Sequence, residues 1–156
     1  VIISALGSFK GVKRRFDIQA RTDKTIYIDD YAHHPQEIKA LLSSVRTIFK
    51  GKKITGIFQP HLYSRTRDFA DEFGESLGAL DELILLDIYP AREEPLPGVS
   101  AKMIFDRVEI QEKVMIKREQ LFKVVRERDP DILLTIGAGD IDQFVLPLKD
   151  WVLNKK

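Results

Sequence analysis

Two carboxylates, a phenol and two imidazoles lie within six residues of the sequence, in the run from Asp29 to His34. The residues just before it, Ile26 to Ile28, alternate β-branched and aromatic side chains and predict a buried strand. Pro35 suits the first turn of a helix. The run is therefore predicted to lie between a strand end and a helix start, where open α/β sheets bind ligands. The alternative is that the aspartates cap the helix and the histidines are solvated turn residues.

A second polar cluster follows the next predicted strand, residues 54–58, and contains His61, Arg65 and Arg67 near a helix start. A guanidinium binds a carboxylate or a phosphate through two parallel hydrogen bonds, and a helix amino end adds partial positive charge. These residues therefore predict an anion-binding turn. A solvated basic turn is the alternative that the cluster taken alone leaves open.

Two further loops follow predicted strands, at residues 89–98 and 137–140. For the first, an internal salt-bridge loop is the favoured interpretation of Tyr89, Arg92, Glu93 and Glu94. For the second, a tight turn is favoured over a phosphate contact, since a short Gly-x-Gly is weak evidence. All four loops should lie on one edge of a parallel sheet, whereas the opposite edge carries plain turns. This asymmetry predicts a binding site at the loop-rich edge.

Several other kinds of site are not expected. The sequence contains no Gly-x-x-x-x-Gly-Lys-Ser/Thr loop, no His-Glu-x-x-His motif and no Ser/His/Asp nucleophile signature. The aspartates and histidines at 29–34 could bind a metal in principle, but no matching third loop of ligands accompanies them. We therefore predict no metal site and no catalytic residue in this chain.

Composition limits the function further. The 156 residues are 44% hydrophobic and 31% charged, with a net charge of +1, so neither nucleic acid nor membrane is an expected partner. The absence of cysteine excludes disulfides, thiol catalysis and Cys-ligated zinc, and fits a cytoplasmic location. An apolar start followed by basic residues has the wrong order for a secretory signal. We expect the chain to be a piece of a longer protein.

The elements that must position these residues alternate between strand and helix. This order predicts an α/β domain with a Rossmann-like, mostly parallel sheet and helices on both faces. The predicted strands cover residues 16–20, 26–28, 54–58, 83–88, 114–116 and 131–136. The predicted helices start at Pro35, near residue 69, at 101, at 118 and near 141, the last with a kink at Pro147.

Four sequence runs resemble those of one family, the Mur ligases: residues 29–35, 58–67, 87–93 and 137–140. Residues 9–16 are similar to the end of that family's central domain. The resemblance implies that residues 1–15 are the tail of a central ATP-binding domain with its linker. It implies that residues 16–156 are a C-terminal, amino-acid-binding domain.

The resemblance also implies an activity. The expected reaction joins L-alanine to UDP-N-acetylmuramate through an acyl phosphate, in cytoplasmic peptidoglycan precursor synthesis. It uses ATP and Mg²⁺, held mainly by the central domain, and needs the N-terminal and central domains of the same chain. A murein tripeptide recycling ligase is the nearest alternative, although the run from Pro60 to Thr66 favours the alanine ligase. A non-catalytic, nucleotide-binding Rossmann-like module is an alternative of another class.

Residue roles follow from the same resemblance. The positions expected around alanine and its carboxylate are Tyr31, His33, His61 and Arg65. The positions expected near the nucleotide are Asp30, Arg14 and Arg15. Leu62 stands where some relatives are expected to carry a basic residue, so the carboxylate clamp should depend mainly on Arg65.

Overall fold

The architecture is a single twisted sheet of six strands, seen in a computed structural model that describes residues 12–155. The strand order is β1-β2-β6-β3-β4-β5. Strand β1 is antiparallel to β2, and every other neighbouring pair is parallel. The strands are β1 (Asp17–Arg21), β2 (Ile26–Asp30), β3 (Ile54–Phe58), β4 (Glu82–Leu85), β5 (Glu112–Met115) and β6 (Ile132–Ile136).

Helices connect the parallel strands. The α-helices are α1 (Pro35–Ile48), α2 (Tyr63–Asp68), α3 (Ala70–Leu77), α4 (Lys102–Phe105), α5 (Leu121–Arg128) and α6 (Val145–Asn154). Short 3₁₀ turns at Arg118–Gln120 and Asp140–Phe144 lead into α5 and α6.

Each face of the sheet carries its own apolar core, because successive side chains of a strand point to opposite faces. Ile28 of β2 belongs to the core that includes Ile38 and Leu42 of α1. Its neighbour Tyr27 belongs to the core that includes Val125 of α5 and Val152 of α6. The predicted α/β class, with a mostly parallel sheet and helices on both faces, is confirmed.

Several element boundaries differ from the predicted ones. The helix expected around residue 69 is two helices, because Phe69 leaves helical geometry at φ −125° and ψ 23°. Strand β4 ends at Leu85 rather than at residue 88. Pro147 lies in the first turn of α6, just after the change from 3₁₀ to α geometry, where a missing N–H is tolerated.

The sheet brings the four predicted loops to one edge, which we call the rim: residues 31–34, 59–62, 86–93 and 137–140. All four follow the carboxyl ends of parallel strands, namely β2, β3, β4 and β6. The rim therefore has the position that the sequence predicts for a binding site. Within residues 12–155, no helix is both long enough and apolar enough to cross a membrane.

Candidate functional site

A continuous row of rings crosses the rim from β2 to β4. The Tyr31 and His33 rings meet edge to face with centroids 5.2 Å apart, and the His33 and His61 centroids are 6.0 Å apart. His61 stacks on Tyr89 at 5.8 Å with an interplanar angle of 24°. The structure thus brings three residues of the predicted alanine site into one row, together with Tyr89. We call these four residues the ring row.

Arg65 joins the ring row through His61. Its Nη1 lies 3.3 Å from the Nδ1 atom of His61, one helical turn away. Burial lowers the pKa of His61, and the nearby Arg65 charge and the His33 ring lower it further. Because Arg65 is only partly buried and His61 is its sole side-chain partner among the described residues, its other N–H groups are free to bind an anion.

Removing the Arg65 charge is expected to raise the pKa of His61. In an Arg65→Gln variant the value should move up but stay below the ordinary 6.5, because burial is the larger cause and does not change. An NMR titration of the imidazole would measure the shift. Arg67→Gln is the matched control, since the exposed Arg67 pairs with Asp68 instead. A His61 pKa that is equal in both variants would contradict the assigned contact.

Glu37 holds the His33 turn in place from the first turn of α1. Its Oε2 accepts the backbone N–H groups of His33 at 3.0 Å and His34 at 3.1 Å. Partial burial raises the pKa of Glu37, but these two donors, together with the charges of His33 and Arg15, outweigh it and the net shift is downward. The His34 ring turns away from the ring row and packs on Phe69, 4.8 Å between centroids. Only the first of the two adjacent histidines therefore faces the rim site.

The loop after β4 is not an internal salt-bridge loop, contrary to the favoured interpretation. Glu93 accepts hydrogen bonds from the backbone N–H of Ser64, at 3.0 Å, and from the Ser64 hydroxyl. These bonds from Ser64 lower the pKa of Glu93. The Leu62 N–H also donates a hydrogen bond to the Tyr89 carbonyl. Leu62 itself has a φ of +74°. The loop therefore fixes the start of α2, and with it His61 and Arg65.

The Gly137–Gly139 turn serves close packing against the other rim loops. A Cβ at Gly139 would come within 2.5 Å of the Gln59 Oε1 atom and 2.7 Å of the Tyr89 Cβ atom. Gln59 is held in turn, since its Nε2 donates to Asp140 at 2.7 Å and its Oε1 accepts the Ile141 N–H at 3.0 Å. The tight-turn interpretation accounts for both glycines without a phosphate.

Arg14 is tied into the end of the sheet. Its Nε donates to the buried carboxylate of Asp29 at 3.1 Å, and its Nη2 donates to the Gly137 carbonyl at 2.7 Å. The guanidinium also lies over the Tyr31 ring, 5.1 Å from its centroid. Burial raises the pKa of Asp29, and hydrogen bonding to Thr135 and Arg14 opposes that rise. Arg14 therefore packs beneath the ring row.

Asp30 and Arg15 lie on the other side of β2 from Arg14 and line a shallow pocket of about 340 Å³ against α1. The Asp30 carboxylate accepts the Phe16 N–H at 2.6 Å and the Ala32 N–H at 2.8 Å. Each oxygen keeps a further lone pair for a ligand hydroxyl. The three residues predicted to contact a nucleotide are thus divided, with Arg14 separated from the other two.

Besides Tyr89, sequence reasoning missed three residues that shape this site. Glu37 carried a usable signal, because a Glu three residues after a helix cap often bonds back to the cap backbone. Gln59 and Glu93 carried none, since their partners come from distant parts of the chain. Across residues 12–155, no group of three or more His, Cys, Asp or Glu side chains could hold a metal ion.

Comparisons with known proteins give consistent results. Residues 14–139 match the family described as "Mur ligase, glutamate ligase domain". The chain is 54% identical over 145 residues to the UDP-N-acetylmuramate--L-alanine ligase of Parabacteroides distasonis, covering 93% of this chain and 31% of that protein. It therefore spans about a third of the length of such relatives.

Solved structures show the same fold. The UDP-N-acetylmuramate-alanine ligase of Thermotoga maritima superposes with a TM-score of 0.80 at 30% identity, over 99% of this chain and 33% of that one. A murein peptide ligase from Psychrobacter arcticus gives 0.69 at 19% identity, over 94% and 32% respectively. At that identity the second likeness concerns the fold alone.

Proposed function

Because this chain belongs to the Mur ligase family, we propose that it is the amino-acid-binding domain of an ATP-dependent ligase that joins L-alanine to UDP-N-acetylmuramate. The product would be a precursor of peptidoglycan. Relatives that carry this activity in their names are 54% and 51% identical to the chain. The single observation that supports the proposal most is the placement of the ring row and Arg65 on one rim.

The chemistry of the row suits a small amino acid. A free α-carboxylate calls for a guanidinium or a neutral N–H donor, and Arg65 with its neighbour His61 offers both. A reactive amine calls for neutral or acceptor groups that orient it without repelling it, and Tyr31 and His33 stand beside this pair. We assign these four residues to alanine binding.

A nucleotide is assigned to the neighbouring pocket. Asp30 would accept a hydrogen bond from a ribose hydroxyl, and the exposed Arg15 would approach phosphate. Arg14 would act on the nucleotide at most through its 4.0 Å neighbour Asp142 or through the turn it anchors. We retain residues 1–15 as linker and tail of a central domain; the structure describes only residues 12–15 of that stretch, and residues 1–11 lie outside it.

Magnesium has no fitting ligand set among the described residues. The phosphate loop that ATP-binding central domains use is also missing from the 156 residues. ATP and Mg²⁺ would therefore be held mainly outside this chain, by the central domain of the whole ligase, which together with the N-terminal domain is its expected partner.

The whole ligase should release phosphate from ATP only when both UDP-N-acetylmuramate and L-alanine are present. The isolated chain should release none above a heat-denatured control, because it lacks the phosphate loop. Coupled phosphate release would measure both. If the isolated chain turned over, or the whole protein ignored alanine, the proposal would be wrong.

The same assay separates the nearest alternative. A murein tripeptide recycling ligase would use a preformed tripeptide in place of L-alanine, and a non-catalytic module would use neither. We expect L-alanine to support turnover at least tenfold better than the tripeptide, because the relatives at 54% and 51% identity are named as L-alanine ligases. Tripeptide-dependent phosphate release with no response to L-alanine would reverse the assignment.

A further inference from the structure

The partners of His33 decide which of its ring nitrogens carries a hydrogen. Its Nδ1 lies 2.9 Å from the Tyr31 carbonyl oxygen and 3.4 Å from the Glu37 carboxylate. Both oxygens can only accept a hydrogen bond. Nδ1 must therefore be the donor, so in the neutral ring the Nε2 atom holds a lone pair.

The partner of His61 places the hydrogen on the other ring nitrogen. Its Nδ1 lies 3.3 Å from the Nη1 atom of Arg65, and a guanidinium can only donate. Nδ1 of His61 must therefore accept, which places the hydrogen of the neutral ring on Nε2. Burial and the Arg65 charge favour this neutral form.

We infer that the structure holds His33 and His61 in opposite tautomers, so that His33 presents a proton acceptor and His61 a hydrogen-bond donor to one ligand bound beside both rings. This inference rests on the proposed function and adds a separate role for each of the two histidines. The acceptor suits the ammonium group of alanine, and the donor, beside Arg65, suits its carboxylate. The two rings are 6.0 Å apart between centroids, so one small zwitterion can reach both.

Nε2 of His33 can act as a base in the reaction. An ammonium nitrogen has no lone pair, so alanine must lose one proton before it can attack the acyl phosphate. Nε2 of His33 takes that proton. The amine then forms the C–N bond, the bond from carbon to phosphate oxygen breaks, and the second amine proton leaves with phosphate. His33 returns its proton to solvent.

The Nδ1 side of His33 faces two oxygen acceptors. Its Nδ1–H stays bonded to Tyr31 O, and the negative Glu37 carboxylate lies beside it. The other charged or titratable groups that face the pair are Arg65, Glu93 and Tyr89 on the His61 side, and Tyr31 with Arg14 over its ring on the His33 side. Glu37 is a positioning residue here, because it acts through the His33 ring and backbone.

NMR can test the tautomers without any assay of activity. The chain has three histidines and contains both apolar cores of the sheet, so ¹⁵N-histidine spectra of the chain itself are assignable. Near neutral pH we expect His33 to carry its hydrogen on Nδ1 and His61 on Nε2. Equal tautomers in the two rings, or a hydrogen on Nε2 of His33, would overturn the inference.

Variants of the whole ligase test the roles. His33→Asn keeps a donor near the Nδ1 position but has no base, so kcat should fall about 100-fold, and the KM for alanine should rise because the ammonium loses its acceptor. Raising the pH should restore part of the loss, because more alanine is then unprotonated. His34→Asn is the matched control and should keep the parental kcat, since its ring packs away on Phe69.

A different pair of variants tests the donor role of His61. Glutamine can place its amide N–H near the Nε2 position and asparagine cannot, so His61→Asn should raise the KM for alanine several-fold more than His61→Gln.

A His33→Asn enzyme with undiminished kcat, or with no recovery at higher pH, would refute the base role. If instead the unmodified ligase ignores alanine, the proposed function fails, while the measured tautomers still stand or fall by themselves.

Discussion

Replacing Arg65 with alanine in the whole ligase is expected to raise the KM for L-alanine about 100-fold, the loss of one charge-assisted contact of about 2–3 kcal/mol. The KM for ATP should change by less than about threefold, because Arg65 lies across the rim from the Asp30 pocket. Steady-state kinetics with each substrate varied in turn would measure both values. The reason is that Arg65 is the guanidinium of the ring row that still has N–H groups free for a carboxylate.

Two further variants serve as controls for this result. Arg67→Ala removes a charge from the same helix, but one that is exposed and paired with Asp68, so the alanine KM should stay near that of the parent. Arg65→Lys should recover only part of the loss, because an ammonium cannot form two parallel bonds. An Arg65→Ala enzyme with the parental alanine KM would remove the clamp from the proposal.

Replacing Gly139 with alanine should destabilise the chain by about 3 kcal/mol, which lowers the melting temperature by about 10 °C for a domain of this size. The added Cβ would lie 2.5 Å from the Gln59 Oε1 and 2.7 Å from the Tyr89 Cβ. Gln59 cannot swing aside without losing its bonds to Asp140 and to the Ile141 backbone. Because Tyr89 stacks on His61, alanine binding should weaken as well.

The matched control is Gly51→Ala. Gly51 has a φ of +75° but no atom within 4 Å of an added Cβ, so it carries backbone strain without a clash. Its cost should be about 1 kcal/mol, with no effect on the ring row. Thermal unfolding of both variants gives the comparison. Equal losses would mean that crowding at Gly139 is relieved by movement of the loops.

The position of the four loops on one edge of the sheet could be predicted from the sequence, because it depends only on the order of strands and helices along the chain. Strands that alternate with helices form a parallel sheet, and every loop after a strand then lies on the same edge. The buried runs of β3 and β6 were apolar enough to place both strands nearly to the residue. His33 and His61 were therefore expected near each other, and they lie in one row.

Contacts between distant loops could not be predicted in the same way. Glu93 and Ser64 are 29 residues apart, and the bonds between them follow from how two loops happen to cross. Glu82 is similar: its carboxylate is buried and accepts from Thr55 at 2.8 Å and from Arg128 at 2.7 Å. A buried acid needs such partners, and they come from other elements. The split of the predicted nucleotide residues has the same origin, since Arg14 found its partner in Asp29.

The anchoring of Arg14 has a mechanical consequence. One side chain grips the end of β2 through Asp29, the turn after β6 through Gly137, and the Tyr31 ring. A displacement of the backbone at Arg14 would therefore move the end of β2, the turn after β6 and the Tyr31 ring together.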